Sequence, residues 1–376
     1  MSEPLLSPIS GRPLSKDTAI SLSDGSGERW PVIDGIAYLR TGRAALVADV
    51  LKLLDDGRDI EALVALLADQ DDWWTGAPAD PARILDLVSK RDAMSFRDAM
   101  ESLGFGRVGH YLAHRWSDPT YLAGLALLEA HWTEPASAFE LACGTGAYLR
   151  DLSRRGIRCC GGDVVFAKLW LARHWVLGPE VELVCFDAAS PWPIAGRAHD
   201  LVLCHDAFYF LEPKPDVASR LREATAPGGL LALAHIHNAA HLNFSAGAAV
   251  TAATLAEMFE GAAFYDDDEL TRALAEARSP VPCAPELLAS AEAFSIALGG
   301  ASTPRPVVAG LALPPSGAPL RKNPLYGRDD RIRWPSDRYR DEYAARVTYP
   351  PVFGTHVPNK ESQARSRELV DLPERW

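Results

Sequence analysis

The residues with chemistry to offer stand in the middle of the chain, mostly at the ends of short apolar runs. Glu140 opens Glu140-Leu-Ala-Cys-Gly-Thr-Gly146, Asp163 closes Arg158-Cys-Cys-Gly-Gly-Asp163, and Asp187 closes Val181-Glu-Leu-Val-Cys-Phe-Asp187. A fourth run ends in Cys204-His205-Asp206, and a fifth, after Pro227-Gly228-Gly229, ends in His235-Ile-His237-Asn238. Gly144 and Gly146 let the backbone approach a ligand closely. A carboxylate just ahead of such a loop suits a cationic ligand, whereas a phosphate would seek the helix N-terminus alone. Asp163 is placed to accept hydrogen bonds from both hydroxyls of a ribose, and Asp187 to hold an adenine amino group. Five of the ten histidines lie between His199 and His241, and imidazole is the natural proton acceptor near neutral pH.

Those positions imply a scaffold of alternating elements. Strand-like runs at 138–141, 157–163, 181–186, 201–204 and 230–236 alternate with helical stretches at 147–155, 166–177 and 217–224. Such alternation with short connections is the pattern of a parallel sheet covered on both faces. Ligands of that fold sit at the carboxyl ends of the strands. Ahead of it, apolar spacing predicts helices over 44–67, broken at Asp55-Asp56-Gly57, over 81–103, and over 118–131 from an Asp118-Pro119 start. Behind it come helical stretches at 246–260 and 268–277, then strand-like runs at 293–298 and 307–313.

A cationic ligand with ribose and adenine is S-adenosylmethionine, and the dinucleotide fingerprint G-x-G-x-x-G is absent because Gly146 is followed by Ala-Tyr-Leu. Over residues 135–238 the chain resembles the class I S-adenosylmethionine-dependent methyltransferases, through E-L-A-C-G-T-G, the acids after strands two and three, D-L-V-L-C-H-D and A-P-G-G-L-L-A-L. The resemblance implies a doubly wound, mostly parallel, seven-stranded Rossmann-like sheet. It assigns cofactor binding to Glu140, Ala142, Gly144, Gly146, Asp163 and Asp187, with Ala142 standing where many members have glycine. A segment ahead of the first strand often folds over the cofactor in that family. Tyr111, His114 and Arg115 are therefore candidates for the methionine carboxylate, beside a plain packing role for that helix.

The acceptor belongs over strands four and five. His205, His237, Asp206 and His235 are the catalytic candidates. His235 and His237 are read as alternating so that only one need face the site, and His237 with His205 is favoured as the base. His235, His237 and His241 with Asp206 also have metal-ligand chemistry, but a metal-free pocket is the expectation.

The first residues carry a second resemblance. Leu5-Leu-Ser-Pro-Ile-Ser-Gly-Arg-Pro-Leu14 with Trp30-Pro-Val-Ile-Asp-Gly-Ile36 is similar to a small zinc-ribbon domain that accompanies or activates certain methyltransferases. Ser7, Ser10, Ser23 and Ser26 stand at the positions of its zinc cysteines, which implies a ribbon without metal. The expected organisation is a β module over 1–42, a helical region and lid over 43–134, and the cofactor core over 135–240. A helical substrate cover follows over 241–290, then a closing β hairpin over 291–313 and a Pro/Arg/aromatic tail over 314–376, read first as a solvated wrap.

A net charge of −12 disfavours nucleic acid. No apolar run spans a bilayer, no leader pattern opens the sequence, and the six scattered cysteines read as the reduced thiols of a cytoplasmic protein. The leading expectation is methyl transfer to an oxygen or nitrogen of a small molecule, with a histidine base and room for a homodimer. A catalytically silent methyltransferase-like subunit that binds a partner protein is the alternative. A nicotinamide enzyme stands third, against the missing glycine.

Overall fold

The computed structural model describes residues 3–241, 247–308, 310–311, 313–355 and 359–376. Its centre is one sheet of eleven strands. In chain order these are β1 (Ser15–Thr18), β2 (Ser21–Ser23), β3 (Arg29–Ile33), β4 (Ile36–Tyr38), β5 (Ser137–Leu141), β6 (Arg158–Asp163), β7 (Glu182–Cys185), β8 (His199–Leu203), β9 (Thr225–His237), β10 (Ala263–Asp266) and β11 (Ala293–Gly299). The spatial order is β1-β2-β3-β4-β7-β6-β5-β8-β9-β11-β10. Strands β7, β6, β5, β8 and β9 are parallel, and β11 runs antiparallel between β9 and β10. The expected α/β sheet of seven strands is therefore present, from β7 to β10.

The other four strands come from the N-terminus, which joins the sheet edge. β4 pairs in parallel with β7, Ile36 opposite Leu183 and Tyr38 opposite Cys185. Pairing satisfies an edge whose N–H and C=O groups would otherwise face solvent. Asp34, in the left-handed turn before β4, accepts from the Trp170 indole and contacts His174, each at 2.8 Å.

The described residues form thirteen α-helices: α1 (Ala44–Asp55), α2 (Asp59–Ala68), α3 (Pro81–Lys90), α4 (Phe96–Ser102), α5 (Gly106–His114), α6 (Pro119–Ala130), α7 (Ala147–Ser153), α8 (Phe166–Leu171), α9 (Lys214–Glu223), α10 (Ala252–Met258), α11 (Asp267–Glu276), α12 (Asp337–Tyr343) and α13 (Lys360–Arg365). Asp118 caps α6, accepting from the Thr120 and Tyr121 N–H groups, with Pro119 in the first turn. Every residue of α6 is buried. That matches its apolar surface on all sides, which only an internal helix tolerates.

Two stretches differ from the sequence reading. The antiparallel partner of β11 is β10, inside the segment expected to be a helical cover, while 307–313 is no strand in its described residues and in part lies outside them. Ala263-Phe-Tyr-Asp266 is too short to show a period, so its β-favouring aromatics went unread. The expected helix from 246 starts at Ala252, and residue 246 lies outside the described residues.

The tail is packed rather than solvated. Leu325, Tyr326, Tyr339, Tyr343 and Tyr349 make a small core of their own. Asp371 sits buried between Arg150 and Arg154, and the terminal Trp376 donates its indole N–H to Ala113 O at 2.6 Å. Among the described residues no helix is long and apolar enough to cross a membrane, and all six cysteines are free.

Candidate active site

The strand order reverses between β5 and β8, and there the carboxyl ends splay to open a crevice. A cavity of about 810 Å³ fills it. Its floor is the loop after β5 with the ends of β6, β7 and β8. Its roof comes from residues 70–76, helix α5 and helix α12.

At one end Asp163, 4% exposed, organises the glycine loop. Its Oδ2 accepts the Gly144 N–H and its Oδ1 the Val165 N–H, both at 2.9 Å. Ala142 (φ 56°), Gly144 (φ 56°) and Gly146 (φ 77°) all adopt left-handed conformations. Ala142 thus bears strain at the position where glycine is usual in the resembled family. Gly146 does not line the cavity. A Cβ there would meet Leu177 Cδ1 at 2.7 Å, so its lack of a side chain serves close packing. Asp187, half-buried on the wall, turns its Oδ1 to the Ala189 N–H.

Glu140 is 2% exposed, and its Oε2 has no hydrogen-bond partner. Burial raises its pKa to about 8, with Arg115 opposing and Asp163 adding to the shift. A buried acceptor left unmet beside a cavity is costly unless a ligand completes it. A cationic sulfonium or ammonium group answers that need. Glu140, the glycine loop, Asp163 and Asp187 therefore fit S-adenosylmethionine.

At the other end the centre is Asp206, itself at φ 53°. Tyr111 donates to its Oδ2 at 2.5 Å, Tyr209 to its Oδ1 at 2.9 Å, and Arg115 lies 3.4 Å from Oδ2. Arg115 also meets Asp118 at 3.3 Å and Thr120, and stacks over Tyr111. Tyr111 and Arg115 thus converge on Asp206, where the sequence reading had them as candidates for the cofactor's carboxylate. The polar contacts of Arg115 there are all made by Nη1. His114 is buried against Tyr339 and Trp376, its Nδ1 against His110 O, and burial lowers its pKa to about 4.

The histidines also depart from expectation. His205 lines the cavity, but its Nδ1 accepts the Ala234 N–H at 3.1 Å. The neutral ring must then carry its hydrogen on Nε2, which makes it a donor. Burial, with Arg115 adding, lowers its pKa to about 3, far from that of a base at neutral pH. His235 and His237, two apart in a strand, point to the same face with ring centroids 4.9 Å apart. Neither lines the cavity. His237 packs edge-on to Tyr209, and burial lowers its pKa to about 4. His235 is held at φ 52°, with Nδ1 2.6 Å from Asp267 Oδ2. Burial works to lower its pKa, but Asp206 and Asp267 outweigh it and the net shift is upward. His241 is no part of this group.

Several cavity residues were missed in the sequence. Tyr209 follows Asp206 by three, a spacing that a turn after β8 would have suggested. Tyr339 and Tyr343 lie four apart on α12, the helical signature of one face. Asp267, which is not on the cavity wall, opens α11 beside His235 and also gave no local sign.

Residues 139–233 match the family model described as a methyltransferase domain. No curated protein matches the chain. Solved structures that resemble it include the Haemonchus contortus phosphoethanolamine N-methyltransferase 2 bound to S-adenosyl-L-methionine (15% identity, 55% of this chain and 60% of that one, TM-score 0.39). A Thermotoga maritima methyltransferase described as a possible histamine N-methyltransferase is similar at 15% identity, over 55% of this chain and 99% of that one, with TM-score 0.38. A complex of the Haloferax volcanii Trm112 methyltransferase activator with a protein described as a methyltransferase gives 15% identity, 55% and 98% coverage, and TM-score 0.39. The chain covers less than two thirds of the nematode enzyme, and these likenesses say nothing of its substrate. Residues 139–233, which supply much of the cavity floor, form a methyltransferase domain, and its cofactor is S-adenosylmethionine.

Proposed function

We propose that the enzyme methylates an oxygen or nitrogen of a small molecule held at the Asp206 end of the cavity. The observation that carries this is the roof. Residues 70–76, α5 and α12 cover the strand ends, leaving a chamber of about 810 Å³ with Glu140 and Asp163 at one end and Asp206 at the other. A pocket of that size is typical for small ligands, and the net charge of −12 speaks against nucleic acid.

S-adenosylmethionine supplies an electrophilic methyl group and leaves as the neutral thioether. This chain's residues do the positioning, the main contribution available in such a displacement. The acceptor's lone pair forms the bond to the methyl carbon as the carbon–sulfur bond breaks, and the acceptor's proton is lost. Asp206, fixed by the two tyrosine hydroxyls and Arg115, takes the hydrogen bond from the acceptor's N–H or O–H and aims the opposite lone pair. The role expected of His205 or His237 as base passes to this group, because the first is a donor and the second is off the cavity wall. The intact Glu140, Gly144 and Asp163 arrangement favours activity over a silent subunit.

The test is a thermal shift with S-adenosylhomocysteine and with NADH, followed by a panel of amines, alcohols and phenols read by mass spectrometry. S-adenosylhomocysteine should raise the melting temperature and NADH should not. A chain that responds to neither, or that methylates only macromolecules, overturns the reading.

A further inference from the structure

Behind the acceptor end, three side chains of metal-ligand type converge. Asp206, His235 and His237 each offer one ligand atom, and these atoms lie within 4.8 Å of one another. His235 is 2% and His237 3% exposed, and the Asp206 side chain 8%. We propose that this cluster binds a divalent transition-metal ion through two imidazoles and one carboxylate, with Asp206 as its link to the cavity.

Three observations carry the inference. The first is orientation. His235 Nδ1 sits 2.6 Å from Asp267 Oδ2, while the other oxygen of Asp267 accepts the Ser295 hydroxyl at 2.6 Å. A carboxylate behind a histidine fixes the ring and turns its far nitrogen toward an ion. The second is an unmet atom: His237 Nδ1 is buried with no hydrogen-bond partner. The third is charge. Asp118, Asp206 and Asp267 are all buried carboxylates, and Arg115 is the guanidinium among them. Arg346, which also faces Asp267, is paired with Glu292 at 3.7 Å. Three carboxylates therefore gather about one guanidinium, an excess of acceptor oxygens that a divalent ion would engage.

Asp206 already serves two tyrosines and Arg115, and a carboxylate offers about four lone-pair sites, so the one that remains goes to the ion, which then takes over Asp206's contact with the acceptor. Ion–ligand distances of about 2.0–2.2 Å place ligand atoms roughly 3–3.5 Å apart, so the cluster closes by on the order of 1 Å on binding. Imidazole with carboxylate selects zinc or iron(II) over magnesium or calcium. The ion's use, unlike its binding, rests on the proposed acceptor site: it would hold an acceptor oxygen and ease loss of its proton.

The experiment strips the full-length protein with chelator and titrates it with zinc, with cobalt(II) and, without oxygen, with iron(II). S-adenosylhomocysteine binding is measured on the same samples. One ion per chain is expected, lost in His237→Gln and weakened about 10–100-fold in Asp267→Asn. Should the variants fail to bind S-adenosylhomocysteine through misfolding, the cobalt(II) spectrum and X-ray absorption of the unaltered protein decide. Two imidazole ligands support the site; an ion without them overturns it. So does the absence of bound ion, or equal binding by a folded His237→Gln. Loss of S-adenosylhomocysteine binding by the unaltered protein would sink the methyl-transfer reading and leave the ion standing, whereas metal-free protein with full cofactor binding would do the reverse.

Discussion

Two polar clusters of this chain look alike in composition and differ in how they are completed. At the N-terminus Ser7 Oγ accepts from the Ile9 and Ser10 N–H groups, while Ser10 and Ser26 both donate to Asp24. Ser23 accepts from the Gly25 N–H. Hydroxyls donate as well as accept, so the turns close on a carboxylate and hold their shape with nothing added. The Ser10 hydroxyl above all, then Ser26, draws the Asp24 pKa down to about 2. At the carboxyl ends of β5, β8 and β9 the groups are buried and do not close. Glu140 Oε2, His205 Nε2 and His237 Nδ1 all lack partners. A cluster that satisfies itself is architecture, and one that leaves buried atoms unmet awaits a ligand.

The largest effect that would break this contrast concerns Glu140. Its folded pKa of about 8 lies above the unfolded value of about 4.3. Between those values the native state holds a proton that the unfolded chain has released, so stability falls as pH rises and levels off beyond about 8. His114, His199, His205 and His237, with folded values of about 3 to 4, act oppositely below their unfolded value of about 6.5. His235, shifted upward, adds to the loss above it. Cofactor-free protein should therefore be most stable near pH 6.5 and weaken toward pH 8. Glu140→Gln should remove much of that weakening, a change of several kcal/mol at most. Cofactor affinity should rise with pH in the parent and stay flat in the variant. Denaturation at the two pH values and titration calorimetry read both; an unaltered slope means that Glu140 is satisfied in solution.

Asp163→Ala comes next. It frees the Gly144 and Val165 N–H groups and should cost S-adenosylhomocysteine about 1.5–3 kcal/mol of binding, measured by calorimetry. A folded variant of undiminished affinity removes Asp163 from the site. Tyr209→Phe should act at the other end. It leaves cofactor affinity alone and lowers turnover roughly tenfold, the scale of one lost hydrogen bond to a charged group.

How much of this was legible depended on distance along the chain. The places of Glu140, Gly144, Asp163 and Asp187 on the cavity wall were readable because each stands at or just past a strand end, and strand ends meet at one edge of a parallel sheet. The parallel pairing of the core strands followed from the same alternation. The Asp206 end was readable only in part: Asp206 and His205 stand at a strand end, but their surroundings are assembled from α5, the turn after β8 and a tail helix more than 120 residues further on. Histidine roles failed for a different reason. Sequence places an imidazole at a strand end but not the backbone N–H that chooses its tautomer, as the Ala234 N–H does for His205. The edge pairing of β4 with β7 was equally hidden, since a three-residue strand carries no period.

The smallest expected effect tests the self-satisfied side of the comparison. Asp24→Ala removes the acceptor shared by Ser10 and Ser26 and should loosen only the turns of the first residues. Asp24 is open to water, so its bonds are replaced by solvent when lost, and the melting temperature should drop little. The module should remain docked, because Tyr38, Leu39 and Trp30 are buried and β4 keeps its pairing with β7. Chelator should leave the stability of these residues unchanged, since hydroxyls are poor ligands for zinc beside thiolates and imidazoles. Hydrogen exchange over residues 5–30, with and without chelator, reads the module apart from the buried cluster. Protection lost on chelation would mean that the serine turns do hold an ion, and the contrast between a closed and an open cluster would fail.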